Sequence, residues 1–281
     1  MMNWIASLSV IGVLLLAGCG GGSGGSSSTV PVSGTEPAPP VEPAPVEPPP
    51  VEPSPIPSDQ IRVYQLGDVV EFSGTLSIEE APNPATTADV MVRVEFIDNV
   101  YSREGKNVLG MQTTTTFVAT GEQMETTRHI WQEENGALFD LTDEYGNYYM
   151  DSATNEYGIP SIPSPLIPFE QIECQCYIMY GGHTSGALAM GTRTILVGEQ
   201  EDITVPLGAF AAYPVTQESE YTYTFSYDIF KRDDSVVVDE INWVSLEMGI
   251  VKIKGNYRRY SSTGKLISAE TLDIEATKTN F

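Results

Sequence analysis

Hydrophobic and polar residues alternate along much of the chain beyond residue 59, and this alternation predicts β-strands. The clearest case is 221–230, in which every second position from Tyr221 is apolar or aromatic and Thr, Ser or Asp lies between. Its aromatic positions are Tyr221, Tyr223, Phe225 and Tyr227. Further strands are predicted over 90–97, 111–120, 126–132, 137–141, 236–243, 250–260 and 265–276. No long run has helical periodicity, so the sequence predicts an all-β fold.

The last two predicted strands are joined by a Ser-Ser-Thr-Gly turn over 261–264. Pairing Tyr260 with Lys265 across this turn places Ile253 opposite Leu272 and brings opposite charges together on the other face. A solvated face is therefore expected for a stripe of basic residues, which are Lys252, Lys254 and Arg258.

Two other segments suggest how the strands are arranged. Asn135-Gly136 between two apolar-patterned runs predicts a β-hairpin. The Pro-rich run 159–168 predicts a rigid loop that divides the domain into two β-rich halves. Because a sheet must cover its apolar face, we expect one domain over 59–281, built as an antiparallel meander sheet curled into a half or whole barrel.

The N-terminal sequence indicates where in the cell the protein is located. An apolar run over 5–16 is followed by Leu16-Ala17-Gly18-Cys19, which resembles the bacterial lipoprotein signal. The resemblance implies that 1–18 is a signal peptide and that Cys19 carries the lipid that anchors the protein to a membrane. Residues 1–9 depart from the pattern because they contain no Lys or Arg. Gly20, where retained inner-membrane lipoproteins have Asp, favours the periplasmic face of an outer membrane and leaves surface exposure open.

A tether is predicted between Cys19 and residue 58. Its first part is rich in Gly and Ser and predicts a flexible coil, whereas the later part repeats Val-Glu-Pro and predicts extended polyproline II. At ~3.1 Å per residue, the stretch 35–58 can reach on the order of 70 Å. The tether is either a disordered spacer that lifts the domain off the membrane or a low-complexity linker of unselected length.

The charge of the chain limits its partners. The sequence carries a formal net charge of −24. Such an acidic surface repels nucleic acids and anionic lipid headgroups, so neither is expected as a partner. It is compatible with cation binding, a salty habitat or simple solubility.

Cys174-Gln175-Cys176 is the sharpest local feature of the predicted domain. In a strand, both thiols would lie on one face with Cα atoms ~6.6 Å apart, which is at the edge of disulfide range. A disulfide or a pair of buried thiols is one interpretation. A copper(I) site formed by Cys174, Cys176, Met179 and His183 is the alternative. We expect no cofactor.

The aromatic stripe of 221–227 is a candidate ligand face for an acyl chain or a sugar, or it belongs to the core. Nothing else in the sequence forms a catalytic constellation, so we expect that the protein is not an enzyme. In addition, 205–210 and 241–252 resemble segments of uncharacterised β-rich bacterial lipoproteins, although Leu207 and Ala209 replace Ala and Thr. That resemblance implies an all-β fold and no particular function.

The sequence thus predicts a periplasmic lipoprotein that binds a hydrophobic ligand on a curled sheet. The first alternative is an envelope interaction or scaffold protein positioned by its tether, with a lipid or an envelope protein as partner. A metal-handling protein that uses Cys174 and Cys176 is the second alternative. An open apolar cavity under the 221–227 strand would favour the ligand-binding protein, whereas a filled core with an exposed apolar patch would favour the interaction protein.

Overall fold

The computed structural model describes residues 60–98, 107–142, 148–151, 156–179, 187–224 and 231–281. Within these ranges the regular elements are β-strands, and no helix is long and apolar enough to span a membrane. The strands are β1 (Val69–Glu80), β2 (Thr86–Ile97), β3 (Asn107–Phe117), β4 (Gln123–Gln132), β5 (Leu138–Asp140), β6 (Tyr148–Asp151), β7 (Glu156–Tyr157), β8 (Ile159–Ile162), β9 (Gln171–Met179), β10 (Ala187–Val197), β11 (Glu201–Val205), β12 (Gly208–Tyr223), β13 (Ser235–Ser245), β14 (Gly249–Tyr260) and β15 (Leu266–Thr279).

These strands form one antiparallel sheet in the order β7-β6-β9-β10-β12-β13-β14-β15-β1-β2-β3-β4-β5-β8, with β11 paired to β12 alone. Most neighbours in the sheet are also neighbours in the chain, as in a meander, but the first strand pairs with the last. The sheet curls nearly into a barrel, because β8 at one end of the order contacts β9 and β10 near the other end. The predicted all-β, curled meander is therefore confirmed.

The prediction that 159–168 divides the domain was wrong. Its first residues form β8, which pairs with β5 at the edge of the same continuous sheet. An edge strand tolerates Pro160 because one of its sides needs no backbone donor. The Asn135-Gly136 hairpin is confirmed: Glu133 and Ala137 close the turn by a backbone hydrogen bond, and Gly136 has a φ of 91°.

The register of the last hairpin also differs from the prediction. Ile253 pairs with Ile274 rather than with Leu272, a shift of two residues. One residue of the shift arises because Tyr260 pairs with Leu266 instead of Lys265, and the other from the irregularity between Arg259 and Tyr260. An even shift keeps each side chain on its expected face. The solvated basic stripe is confirmed, since Lys252 Nζ lies 2.7 Å from a Glu275 carboxylate oxygen and the other two basic residues, Lys254 and Arg258, also pair with acidic residues.

The inward residues form two apolar clusters. The larger is built mainly on β1, β2, β14 and β15, and the smaller on β9, β10, β12 and β14. Along β12 the inward positions run from Val215 through Gln217 and Ser219 to Tyr221, so polar residues separate the two clusters. Each large apolar side chain buried in this way stabilises the fold by about 1.5–3 kcal/mol.

The segment before β1, residues 60–68, which we call the strap, covers one end of the larger cluster. Tyr64 is 3% exposed, and its ring stacks on Phe96 with centroids 4.1 Å apart. The Tyr64 backbone N–H donates to the side-chain oxygen of Gln132 over 2.8 Å, and its hydroxyl accepts a hydrogen bond from the Ile250 N–H over 3.1 Å. The strap therefore connects β2, β4 and β14.

Candidate functional site

Three large apolar side chains are exposed at one corner of the sheet. Phe169 is 71% exposed, Ile167 is 51% exposed and Leu196 is 42% exposed. They belong to one locality because the Phe169 N–H donates to the carbonyl of Val197, the residue after Leu196, over 2.8 Å. We call Ile167, Phe169 and Leu196 the apolar tip.

The backbone at the apolar tip is strained. Ile167 and Glu170 close a turn through a 3.0 Å backbone hydrogen bond, with Pro168 and Phe169 at its centre. Phe169 has a φ of 66°, in the left-handed region where turns of this kind normally place Gly or Asn. This conformation costs an L-residue about 1–2 kcal/mol, and for a bulky side chain it is a true outlier. The fold thus holds a large apolar ring in solvent at an energetic cost.

Acidic residues surround the apolar tip. Glu170 follows Phe169 directly, and its carbonyl accepts a hydrogen bond from the Val197 N–H over 3.1 Å. Glu173 is exposed on β9 opposite Thr194, and Glu199 is exposed two residues beyond Val197. The rim of the tip therefore carries negative charge.

Inside the barrel, a charged cluster links strands that are not neighbours in the sheet. Arg193 on β10 donates from Nη1 to Asp140 Oδ2 on β5 over 2.6 Å, and each side chain is 3% exposed. The same guanidinium donates to the Pro160 carbonyl and to the Ser219 hydroxyl. Arg128 on β4 reaches the other oxygen of Asp140 at 3.4 Å.

Glu240 on β13 belongs to the same charged cluster. It is 3% exposed and accepts a hydrogen bond from the Asn242 side-chain amide over 2.5 Å. Burial raises the pKa of Glu240 to about 7, although the hydrogen bond from Asn242 and the charge of Arg128 favour the ionised form. The cluster can therefore take up or release one proton near neutral pH.

The larger cluster contains a cavity of about 40 Å³ next to these charges. Its walls are mostly apolar, with Arg128 and Asp140 at the polar side and Tyr64 contributed by the strap. A space of this size holds only a few water molecules, whereas pockets for small-molecule ligands usually measure about 300–1,000 Å³.

The predicted ligand face is only partly within the described residues. Tyr221 and Tyr223 are 4% and 8% exposed and belong to the smaller apolar cluster. They are therefore core residues rather than an open platform. Phe225 and Tyr227 lie outside the described residues.

The structure joins Cys174 and Cys176 by a disulfide, with Cα atoms 5.7 Å apart. Both cysteines point into the smaller apolar cluster, and a disulfide leaves no thiolate for a metal. Across the residues that the structure describes, no group of three His, Cys, Asp or Glu side chains is placed to hold a metal ion. Met179 has only its backbone described, and His183 lies outside the described ranges, as do Cys19, the predicted signal peptide and the predicted tether up to residue 58.

Sequence reasoning missed both the apolar tip and the charged cluster. The Ile-Pro-Phe-Glu sequence does contain the Pro that favours such a turn, but Phe gives no sign of a left-handed conformation. The partners in the charged cluster are far apart in sequence, since Asp140 and Arg193 are separated by 53 positions. Their proximity follows only from the curl of the sheet.

Comparison with known proteins gives distant likenesses only. No family model matches the sequence, and a search of curated proteins also finds no match. A solved Bacteroides fragilis protein, provisionally described as exported and with a YmcC-like fold, is 13% identical with a TM-score of 0.36, covering 79% of this chain and all of its own. A Parabacteroides distasonis protein, provisionally described as a lipoprotein, is 12% identical with a TM-score of 0.36, covering 77% of this chain and 96% of its own. At these scores neither likeness carries an argument about function.

Proposed function

We propose that this chain is a lipid-anchored, non-catalytic protein of the cell envelope whose β-domain docks a partner protein through the apolar tip. The observation that carries the proposal is Phe169, whose ring is 71% exposed on a left-handed backbone. The sequence 16–19 supports the lipid anchor at Cys19, and Gly20 favours the periplasmic face of an outer membrane.

The closely filled core favours docking of a partner protein over binding of a ligand on the aromatic strand. Tyr221 and Tyr223 are buried, and the cavity in the larger cluster is water-sized. A large apolar side chain that is exposed at an energetic cost is better explained by a contact with another molecule. Aromatic residues of this kind often supply the largest share of the binding energy at protein interfaces.

The negative charge around the apolar tip indicates which kind of partner surface it can bind. Glu170, Glu173 and Glu199 border the apolar tip, and the whole chain has a formal net charge of −24. A complementary partner presents an apolar pocket bordered by Lys or Arg. Attraction between the two surfaces increases the association rate, and salt weakens it.

We include the absence of catalysis in the proposal because the buried charged residues pair with one another. Asp140 and Arg193 are each 3% exposed and are bound to one another, so they hold two arms of the sheet together. Pairing of this kind is typical of a structural ion pair inside a core.

Site-specific photo-cross-linking in intact cells tests the docking proposal. A photoreactive residue at Gln171, which is exposed beside the apolar tip, should yield a discrete protein adduct. The adduct should be lost in Phe169→Ala and reduced in Glu173→Lys. The matched controls are a photoreactive residue at exposed Thr263 and the charge reversal Glu122→Lys, which is also exposed. An adduct that persists in Phe169→Ala, or one that forms equally from position 263, would contradict the proposal.

A second candidate function is the binding of a hydrophobic ligand inside the barrel. The cavity is water-sized while the strap is closed, but its lining favours such a ligand, because it is apolar on most sides and has Arg128 on one. This function does not use the apolar tip, so the two proposals can be tested separately.

A further inference from the structure

The cavity in the larger apolar cluster has two different ends. Side chains such as Phe72, Met111 and Ile253 form its apolar wall, and Arg128 and Asp140 form its polar side. Because Arg193 pairs with the Asp140 carboxylate, the guanidinium of Arg128 is the second positive charge at this end, and the chamber has the polarity of a site for an amphiphile with an anionic head. Its volume of about 40 Å³ is too small for such a molecule as the structure stands.

The strap occupies the space that a larger ligand would need. Tyr64 forms part of the cavity wall, and its side chain packs against Gly249. A Cβ on Gly249 would lie 2.0 Å from the Tyr64 hydroxyl oxygen, so this glycine makes room for the ring. Withdrawing Tyr64 would extend the cavity by the volume of a tyrosine side chain.

The strap is attached by individual hydrogen bonds rather than by a strand ladder. Gln132 provides two of them, accepting from the Tyr64 N–H and donating to the Arg62 carbonyl over 3.1 Å. The Arg62 N–H donates to the Leu246 carbonyl over 2.8 Å. Opening the strap breaks these hydrogen bonds and exposes the buried Ile61 and Tyr64 side chains, so the open state is a minor one, but it leaves the ladders of the sheet intact.

Arg128 is the cation with binding capacity left. Asp140 is held tightly by Arg193 at 2.6 Å, whereas Nη1 of Arg128 lies 3.4 Å from Asp140. Nη2 of Arg128 reaches only the sulfur of Met111, and its buried Nε has no hydrogen-bond partner among the residues described. A buried guanidinium with unused donors is suited to a carboxylate or a phosphate.

We propose that the barrel interior binds a single-chain anionic amphiphile, with its acyl chain in the space vacated by Tyr64 and its head on Arg128. The proposal rests on the second candidate function: it specifies the class of ligand and identifies the strap as the segment that must open. The strap and the ligand compete for the same space. The apparent affinity is therefore reduced by the fraction of molecules in which the strap is closed.

The charge balance of the cluster sets the pH dependence of binding. Arg128 and Arg193 face Asp140 and Glu240, so the cluster has one excess positive charge while Glu240 is protonated and none after it ionises. Burial raises the pKa of Glu240 to about 7. We expect dodecanoate to bind more tightly at pH 6 than at pH 8, and Glu240→Gln to remove most of this difference.

Binding of dodecanoate to the full-length protein, measured by displacement of a fluorescent fatty acid, tests the proposal. Tyr64→Ala should bind at least tenfold more tightly than the wild type. Tyr64→Phe is the matched control, because it keeps the ring and loses only the hydrogen bond from Ile250. Dodecanol, which has no charge, should bind the wild type at least tenfold more weakly than dodecanoate does.

Variants of Arg128 test whether this residue binds the anionic head group of the ligand. Arg128→Met should bind dodecanoate and dodecanol equally, and Arg128→Lys, which keeps the charge, should restore part of the preference for dodecanoate. The proposal is overturned if neither the wild type nor folded Tyr64→Ala binds dodecanoate, or if the wild type does not distinguish the acid from the alcohol. Phe169→Ala should bind dodecanoate as the wild type does, so failure here leaves the docking proposal unaffected.

Discussion

Asp140 on β5 accepts a 2.6 Å hydrogen bond from Arg193 on β10, although these strands lie in opposite arms of the sheet order. The backbone ladder does not connect them, so this ion pair is a closing contact of the curled sheet. The Pro160 carbonyl on β8 binds the same guanidinium and adds a second link between the two arms.

Removing one partner of this pair should destabilise the domain strongly. Asp140→Asn leaves the Arg193 charge buried without its counter-ion, and we expect a loss of about 3–5 kcal/mol in the free energy of unfolding. Urea denaturation measures this loss. The double variant Asp140→Leu with Arg193→Met removes both members of the pair and leaves Arg128 beside Glu240, so it should recover part of the stability. A loss below about 1 kcal/mol in Asp140→Asn would contradict the closing role.

Glu270 should make stability depend on pH. It is 1% exposed, and its carboxylate has no hydrogen-bond partner in the described part of the chain. Burial raises the pKa of Glu270 to about 8, and the nearby Glu80 carboxylate adds to the rise. The folded state thus keeps a proton that the unfolded state loses above about pH 4.5, so stability falls as the pH rises from about 4.5 to 8.

The variant Glu270→Gln isolates this effect. At pH 8 it should be more stable than the wild type by on the order of 3–5 kcal/mol, whereas near pH 4.5 the two should be similar. Guanidinium denaturation across this range gives the comparison. A weaker slope should remain in the variant up to about pH 7, because burial also raises the pKa of Glu240. Parallel stability curves for the two proteins would show that Glu270 is ionised in the folded state.

The disulfide between Cys174 and Cys176 closes a very short loop. The chain-entropy model therefore gives it about 1–2 kcal/mol of stabilisation. Protein purified from the periplasm should be two hydrogens lighter than the reduced mass, and reduction should lower the free energy of unfolding by that amount. Cys174→Ala with Cys176→Ala should be insensitive to the reductant. A reduced mass in freshly purified protein would contradict the bridge.

Relieving the strain at position 169 should stabilise the fold. Phe169→Gly removes the left-handed penalty, which is partly offset by the greater entropy of glycine in the unfolded chain, and we expect a gain of up to about 1 kcal/mol. Phe169→Ala removes the ring but keeps a Cβ on the strained backbone, so it serves as the matched control. Thermal and urea unfolding of both variants give the comparison. Equal stabilities for Gly and Ala would argue against a strained backbone in solution.

The alternation of residues predicted eight of the strands, because each antiparallel strand buries one face, but it named no strand over β1, β10 or β11. The predicted strand 250–260 and the observed β14, Gly249–Tyr260, differ by a single residue. The two-residue register error arose because neither the closing pair Tyr260–Leu266 nor the bulge beside Tyr260 leaves a trace in the pattern. The edge strand β8 was missed because Pro160 resembles loop sequence, and an edge position was not foreseeable before the sheet order was known.

The candidate sites were harder to predict than the strands. The cysteine pair could be singled out because it is local, whereas the charged cluster depends on contacts between residues such as Asp140 and Arg193 that only the curl brings together. The apolar tip depends on one backbone angle at Phe169, and a φ of 66° at that residue runs against its intrinsic preference. At strained sites of this kind, the local structure departs from what the local sequence predicts.

The central claim is that the Phe169 ring anchors a partner protein. The most direct test is the affinity of the purified full-length protein for the partner identified by cross-linking, compared among the wild type, Phe169→Ala and Phe169→Gly. We predict that both variants bind about 30-fold more weakly or worse, corresponding to a loss of at least about 2 kcal/mol, while Phe169→Gly is the more stable fold. Wild-type affinity in either variant would contradict the claim.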